Sequence, residues 1–143
     1  MAECVFLDSN VVLDHLADRQ PFAEYAHRLF SLGETGKLSL AASALTFCNL
    51  YYLLRKQIGN DETVALLTKL SQLVKITPVG SAEIRAALSA GYRDFEDAVQ
   101  VQSALAASGV IVTRNKVDFP EDTCRVQSPE EFLSWYEENE AAT

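Results

Sequence analysis

Four aspartates lie at positions where their carboxylates could share one site: Asp8, Asp94, Asp97 and Asp118. Carboxylate oxygens that converge on one crevice suit Mg²⁺ or Mn²⁺, which prefer oxygen ligands. A divalent ion held in this way lowers the pKa of a bound water and stabilises charge on a phosphoryl group during its transfer. Phosphodiester hydrolysis needs both effects. The aspartates therefore point to metal-dependent chemistry, provided that the fold brings them together.

Asp8 can be interpreted in two ways. It follows the run Val5-Phe6-Leu7 and precedes Ser9, a pattern typical of a buried strand that leads into a helix. Asp8 would then lie at the carboxyl end of a strand, where open α/β sheets bind their ligands. Alternatively, Asp8 or Ser9 only caps the helix that follows.

The other three aspartates also have ordinary alternatives. Asp94 is a suitable N-cap, Asp97 a suitable partner for a helix dipole, and Asp118 a common turn residue. Asp94 and Asp97 are three residues apart at the start of a predicted helix, so they lie on one face of it. Whether that face reaches Asp8 depends on where the helix begins.

The elements that would position these side chains alternate between strand and helix. Strands are predicted at residues 5–7, 38–42, 74–79, 110–113 and 124–126. Helices are predicted at 11–16, 21–33, 44–57, 60–73, 81–89, 98–107 and 128–136. Apolar strands that alternate with helices indicate an α/β fold with a mostly parallel sheet of about five strands, covered by helices on both faces. Right-handed crossovers place all the strand carboxyl ends at one edge.

Composition narrows the possible functions. The 143 residues suffice for one domain spanning 1–143, and no apolar run approaches the roughly 18 residues of a membrane span. The start of the chain lacks a signal-peptide pattern, so we expect a cytoplasmic protein. Three cysteines are far apart, and neither histidine has a second soft ligand nearby in the sequence. These spacings argue against a zinc site.

The net charge of −8 is concentrated at one end of the chain. Residues 117–143 contain eight acids and a single base, Arg125. We expect a solvated helix face there, with a docking site for a basic partner as the alternative. The acidic balance argues against broad binding to duplex DNA, which needs a basic face.

Three stretches together carry a family resemblance: Phe6 to Asn10, Asp94 to Ala98, and Ile111 to Phe119. The third contains the pattern Thr-Arg-Asn-x-x-Asp-Phe and is the most specific. In this order and spacing they resemble the PIN domain, the ribonuclease fold of VapC-type toxins. The resemblance implies a three-layer α/β/α sandwich and an endoribonuclease that depends on Mg²⁺ or Mn²⁺.

The resemblance also implies residue roles. The residues that would hold metal and water are Asp8, Asp97 and one of Asn115 and Asp118, with Asp94 a further candidate ligand. The residues that would hydrogen-bond around them are Thr113 and Asn10. Arg114 and Lys116 flank this site and would hold the RNA backbone, or they are solvated loop charges.

Asn49 departs from the family pattern, which usually has a glutamate on this helix. An amide can still coordinate or orient a water, so Asn49 remains a candidate catalytic residue. The change removes one negative charge and weakens the affinity for metal. Asp94 or Glu96 could compensate for it.

Two other functions fit parts of the sequence. The start Asp8-Ser9-Asn10 resembles that of phosphoaspartyl phosphatases, but Asn10 cannot act as the general acid that those enzymes place there. The second is a PIN fold that has lost catalysis and binds RNA or an antitoxin.

The resemblance further implies a homodimer and an antitoxin whose segment covers the site. The aromatic residues that could form such surfaces, or could instead belong to the core, are Phe22, Tyr25, Tyr51 and Tyr52.

Overall fold

A five-stranded parallel sheet forms the centre of the fold in the computed structural model. The described residues are 3–107, 109–119 and 124–141, without the side chains of Asp118 and Ala141. The strands are β1 (Glu3–Leu7), β2 (Leu38–Ser43), β3 (Val74–Thr77), β4 (Val110–Val112) and β5 (Arg125–Gln127). Their order is β3-β2-β1-β4-β5, and every neighbouring pair is parallel. The predicted parallel sheet is confirmed.

Helices cover both faces of this sheet. They are α1 (Ser9–Leu16), α2 (Ala23–Glu34), α3 (Ala44–Leu73), α4 (Ser81–Ser89), α5 (Phe95–Leu105) and α6 (Pro129–Ala141). Strand β1 shows how the layers form, because successive side chains of a strand point to opposite faces. Val5 and Leu7 join the core built with α1, α2, α3 and α6, whereas Phe6 packs with Val101 and Ala104 of α5. The expected three-layer α/β/α sandwich follows from this alternation.

The strand order reverses at β1, which is the point that positions the site. From β1 the chain builds outward through β2 and β3 on one side, and through β4 and β5 on the other. Leu7 is paired with Val112, and the Asp8 amide donates to the Val112 carbonyl at 3.0 Å. The residues that follow β1 and β4 therefore emerge side by side, at the crevice where α/β sheets bind ligands.

Most predicted elements are present, with shifted ends. The helix predicted from residue 11 begins at Ser9, because the Asp8 side chain caps it there. The helix predicted from Pro21 begins at Ala23, after a turn closed by the bond from the Ala23 amide to the Arg19 carbonyl. The predicted loop after β4 contains a short 3₁₀ turn, Lys116–Asp118, while residues 120–123 lie outside the described part of the chain.

Helix α3 contains the predicted break. Gly59 has φ 83° and ψ 170°, a conformation that other residues rarely adopt, and the helix axis kinks there. The predicted stop after residue 57 and restart near 60 thus describe one kinked helix.

The acidic end of the chain forms α6. This helix buries Phe132 and Leu133 in the core while its glutamates are exposed, as expected for a solvated helix face. Among the described residues, no helix combines the length and apolar character that crossing a membrane requires.

Candidate active site

Asp8 occupies both of the positions predicted for it. It is the residue between β1 and α1, and its Oδ1 accepts a hydrogen bond from the Ser9 amide at 2.8 Å. Its Oδ2 accepts a second bond from the Thr113 hydroxyl at 2.9 Å. The side chain is only 6% exposed. A buried carboxylate is therefore held at the reversal of the strand order by groups from two loops.

Burial raises the pKa of Asp8 above its ordinary value of 3.8, and the nearby charge of Glu96 adds to the increase. The hydrogen bonds from Thr113 and Ser9, and the charge of Arg114, act in the opposite direction. Like-charge repulsion is thus secondary to desolvation in this shift. A cation that approached Asp8 would lower this pKa again.

Thr113 links the loop after β4 to this carboxylate. It is fully buried, and its hydroxyl donates to Asp8 while accepting from the Asn115 amide at 3.0 Å. Its own amide donates to the Gln127 carbonyl of β5 at 3.0 Å. The position of Asn115 is thus fixed relative to Asp8 through one hydroxyl group.

A cavity of about 340 Å³ opens in front of Asp8. Its lining residues come from the starts of α1 and α5, from α3 and from the loop after β4: Asp8, Ser9, Asn10, Asn49, Tyr52, Leu53, Glu96, Asp97 and Asn115. Five of the predicted site residues meet here, namely Asp8, Asn10, Asn49, Asp97 and Asn115. Helix α5 begins early enough for its acidic first turn to reach the end of β1.

Asn49, which stands where the family pattern usually has a glutamate, lies beside Glu96. The Asn49 Nδ2 donates to the Glu96 Oε1 at 2.7 Å. The carboxylate that α3 lacks is therefore present in the same part of the cavity, supplied by α5. Of the two compensating residues considered from sequence, the structure places Glu96 at the cavity.

Asp94 and Asp118 are placed differently from the residues above. The Asp94 carboxylate accepts from the Asp97 amide at 3.0 Å and caps α5, and it is not among the cavity-lining residues. Asp118 belongs to the 3₁₀ turn after β4, and its side chain lies outside the described residues.

Arg114 turns away from the cavity toward α1. Its guanidinium donates to both carboxylate oxygens of Asp14, at 2.7 and 3.3 Å, and lies 3.9 Å from the ring centroid of Phe22. Asp14 is 1% exposed, so it needs a cationic partner. Lys116 pairs with Glu131 of α6 at 2.9 Å. Both cations predicted to hold RNA thus have carboxylate partners within the fold.

A buried polar network beneath the cavity was not found from sequence. Gln100, 1% exposed, accepts from the Ser43 hydroxyl at 2.6 Å and donates to the hydroxyls of Ser9 at 2.9 Å and Thr46 at 3.1 Å. These bonds join the starts of α1 and α3 to α5. The available signal was an amide among the mostly small and apolar residues of the predicted helix from Ala98 to Ala107.

The two histidines meet although the sequence separates them. The Nδ1 atoms of His15 and His27 are 2.7 Å apart, and the His27 Nε2 is 2.9 Å from the Asp18 carboxylate. Burial, together with the charge of His27, lowers the pKa of His15 to about 4. Neither histidine lines the cavity in front of Asp8.

The donors in the cavity are carboxylate, amide and hydroxyl oxygens, the set that Mg²⁺ and Mn²⁺ prefer. Within the described ranges, no group of three or more His, Cys, Asp or Glu side chains is arranged to hold a metal ion. Mg²⁺ usually keeps several waters and needs only one or two carboxylates. Asp8 and Asp97 meet that requirement, so the residues fit such an ion.

A model of the PIN domain family matches residues 4–117. The chain belongs to the PIN domain family. The matched range includes Asp8, Asp97 and Thr113 and ends one residue before Asp118. The resemblance seen in the sequence is confirmed.

Known relatives of this PIN domain agree with the match. Over 136 residues it is 25% identical to ribonuclease VapC1 of Aquifex aeolicus strain VF5, covering 92% of this chain and 94% of that protein. Its fold matches VapBC-1 from nontypeable Haemophilus influenzae with a TM-score of 0.66 and 16% identity, over 89% of this chain and 98% of that one. A toxin–antitoxin complex from Klebsiella pneumoniae gives a TM-score of 0.65 and 20% identity, over 87% and 97% of the two chains. These solved structures share the fold of this PIN domain.

Proposed function

We propose that this PIN domain is an endoribonuclease of the VapC toxin type, which hydrolyses RNA phosphodiester bonds with the help of Mg²⁺ or Mn²⁺. The observation that carries the proposal is the buried Asp8 carboxylate at the reversal of the strand order, sharing one cavity with Asp97 and Glu96. The relative named ribonuclease VapC1 supports RNA as the substrate.

The carboxylates that line the cavity would hold the metal ion. A bound divalent ion would supply a positive centre for the transferring phosphoryl group and a water of lowered pKa. Asp8 and Asp97 would hold the ion, with Asp118 as a further proposed ligand. We assign the additional carboxylate to Glu96 in preference to Asp94, because Asp94 caps α5.

The amides around the carboxylates would orient water and RNA. The side-chain amide of Asn49 is fixed by its bond to Glu96, and the backbone of Asn115 is held by its amide bond to the Thr113 hydroxyl. Asn10 lines the same cavity from the first turn of α1. Preorganised groups of this kind stabilise a transition state without having to move during the reaction.

Cleavage of a fluorogenic RNA of mixed sequence tests the proposal, with EDTA, Mg²⁺ or Mn²⁺ in parallel reactions. We expect metal-dependent cleavage that Asp8→Asn and Asp97→Asn each reduce by at least 10²-fold, since each removes a charge that holds the metal. Thermal midpoints near that of the wild type would show that the variants fold. Asp61→Asn, an exposed aspartate of α3, serves as the matched control and should retain activity.

The second candidate function is a binding module with weakened catalysis. Asn49 in place of the usual glutamate favours it, because the α3 side of the cavity is neutral. A folded protein that binds RNA or an antitoxin but cleaves no RNA with any of the metals would support this function over the nuclease.

We also propose an antitoxin partner and a homodimer for this chain. The fold match to a toxin–antitoxin complex supports the antitoxin, and the family resemblance supports the dimer. Sedimentation of the purified chain gives the oligomeric state directly, and a monomer at micromolar concentration would contradict the dimer.

A further inference from the structure

Two apolar side chains line the cavity together with its carboxylates. Tyr52 and Leu53 follow Asn49 by three and four residues on α3, so all three share one face of the helix. Tyr52 is 59% exposed and Leu53 is 53% exposed. Tyr52 is therefore not a core residue, which was one of the two interpretations of this aromatic pair. An exposed aromatic ring beside an acidic cavity needs another explanation.

Neighbouring side chains hold the Tyr52 ring. The guanidinium carbon of Arg55 lies 5.3 Å from its centroid, and the Tyr51 ring meets it at 5.6 Å and 75°. Arg55 is also 5.7 Å from the centroid of Tyr51. The Tyr51 hydroxyl in turn donates to the Asn60 Oδ1 at 2.6 Å, across the kink at Gly59. The ring is thus supported on one side and remains more than half exposed.

The charges around the cavity leave few cations to bind the phosphates of an RNA, so an aromatic contact with a base would add affinity. The carboxylates of the cavity repel phosphates, and the cations Arg114 and Lys116 already pair with Asp14 and Glu131. Arg55 has no carboxylate partner in the described part of the chain. Its charge, close to the cavity rim, is available to a phosphate.

We propose that Tyr52, supported by Arg55 and Tyr51, is a stacking platform for an unpaired base of the RNA substrate next to the bond that is cut. This inference rests on the proposed ribonuclease function and names a base-binding residue for it. Aromatic side chains stack on bases that are free of a duplex, because paired bases already stack on one another. The base that Tyr52 contacts is therefore one that lies outside a duplex. Leu53 adds apolar contact beside the platform.

A binding experiment that needs no cleavage tests the platform. A short single-stranded RNA carrying one 2-aminopurine is titrated with the wild type in EDTA, and again in Ca²⁺, with electrophoresis to show that the RNA stays intact. We expect the base fluorescence to be quenched on binding. Tyr52→Ala should abolish the quenching and weaken binding roughly 5- to 100-fold, the range measured when stacking aromatics are removed.

Matched variants separate stacking from other effects. Tyr52→Phe keeps the ring and should bind within about twofold of the wild type, whereas Tyr52→Ala should not. Arg55→Ala should weaken binding most at low salt, while Lys56→Ala, which removes the same charge from the adjacent position, should have little effect. A duplex of the same sequence should bind equally to the wild type and to Tyr52→Ala.

The outcomes distinguish this inference from the proposed function. Metal-dependent cleavage by the wild type, together with equal RNA binding by wild type and Tyr52→Ala, would overturn the platform and leave the nuclease intact. Quenching that depends on Tyr52, without cleavage in any metal, would support the platform and overturn the nuclease. Absence of binding by the wild type, or a change in sedimentation of Tyr52→Ala with unchanged RNA binding, would overturn the platform in favour of a protein contact.

Discussion

At the scale of single residues, the raised pKa of Asp8 makes stability depend on pH. In the folded, metal-free protein this carboxyl holds its proton to a higher pH than in the unfolded chain, because charging it in a buried site is costly. The folded state therefore loses stability as the pH rises from about 3.8 through the raised folded pKa. Below that window both states hold the proton and Asp8 has no effect.

Asp8→Asn should reveal this loss. In EDTA, we expect the free energy of unfolding of the variant to rise relative to the wild type as the pH increases from 4 to 8, since only the wild type must charge the buried group. Urea denaturation at each pH gives the difference. A difference that stays constant over this range would show that Asp8 titrates alike in the folded and unfolded states.

Single residues also show where the sequence was informative. Asp8 and Asn115 could be placed together because parallel strands and right-handed crossovers fix which loops share an edge. Asp97 was joined to them only by the family resemblance, because the strand pattern does not show where α5 begins. Arg114 could not be placed in the same way. Its direction depends on Asp14, whose burial on α1 cannot be seen in the local pattern.

Removing Arg114 should therefore affect folding more than RNA binding. Among the residues that the structure describes, Arg114→Ala leaves Arg19 as the cation paired with the buried Asp14, with its Nε 3.7 Å away. We expect the free energy of unfolding to fall by about 2–3 kcal/mol, somewhat less than the loss of a fully buried pair. Arg85→Ala, on the exposed side of α4, is the control and should stay within about 0.5 kcal/mol of the wild type. A large loss of RNA affinity without loss of stability would return Arg114 to the RNA-holding role predicted from sequence.

At the scale of elements, the network around Gln100 holds the starts of α1 and α3 against the middle of α5. Strand and helix positions followed from the alternation of apolar runs with breaks such as Gly59. The network did not, because its four polar groups come from separate elements: Ser9, Ser43, Thr46 and Gln100. Only the packed fold shows that each group satisfies another.

Gln100→Ala should be strongly destabilising. It leaves a cavity and removes one hydrogen-bond partner from each of three buried or half-buried hydroxyls, so we expect a loss of about 2–4 kcal/mol in the free energy of unfolding. Gln72→Ala, at an exposed position of α3, should change it by less than about 0.5 kcal/mol. Equal urea midpoints for the two variants would show that the network contributes little to stability.

At the scale of the whole molecule, the net charge of −8 means that any added cation stabilises the fold by screening repulsion. The effect of a specifically bound ion must therefore be distinguished from this general screening. With Mg²⁺ at about ten times its Kd for the cavity, the free energy of unfolding should rise by about 1.4 kcal/mol. This corresponds to a rise of about 3–6 °C in the thermal midpoint of a chain of this size. NaCl at matched ionic strength should give a smaller rise.

The same measurement on two variants assigns the effect to the cavity. Asp8→Asn should lose the Mg²⁺-specific rise, whereas Asp61→Asn should keep it. If all three proteins respond alike, Mg²⁺ acts on the surface charge as a whole and not at the proposed site.

The contact between Asn49 and Glu96 has a consequence for the evolution of this family. A carboxylate at both positions would bring two negative charges to a distance now spanned by one hydrogen bond of 2.7 Å. We therefore predict one acid across the pair, on α3 or on α5, with a neutral side chain opposite. The residues at positions 49 and 96 should covary among relatives of this chain. A variant with a neutral residue at both positions should have reduced activity. A chain with asparagine at position 49 is then better assigned as active or inactive from its residue at position 96.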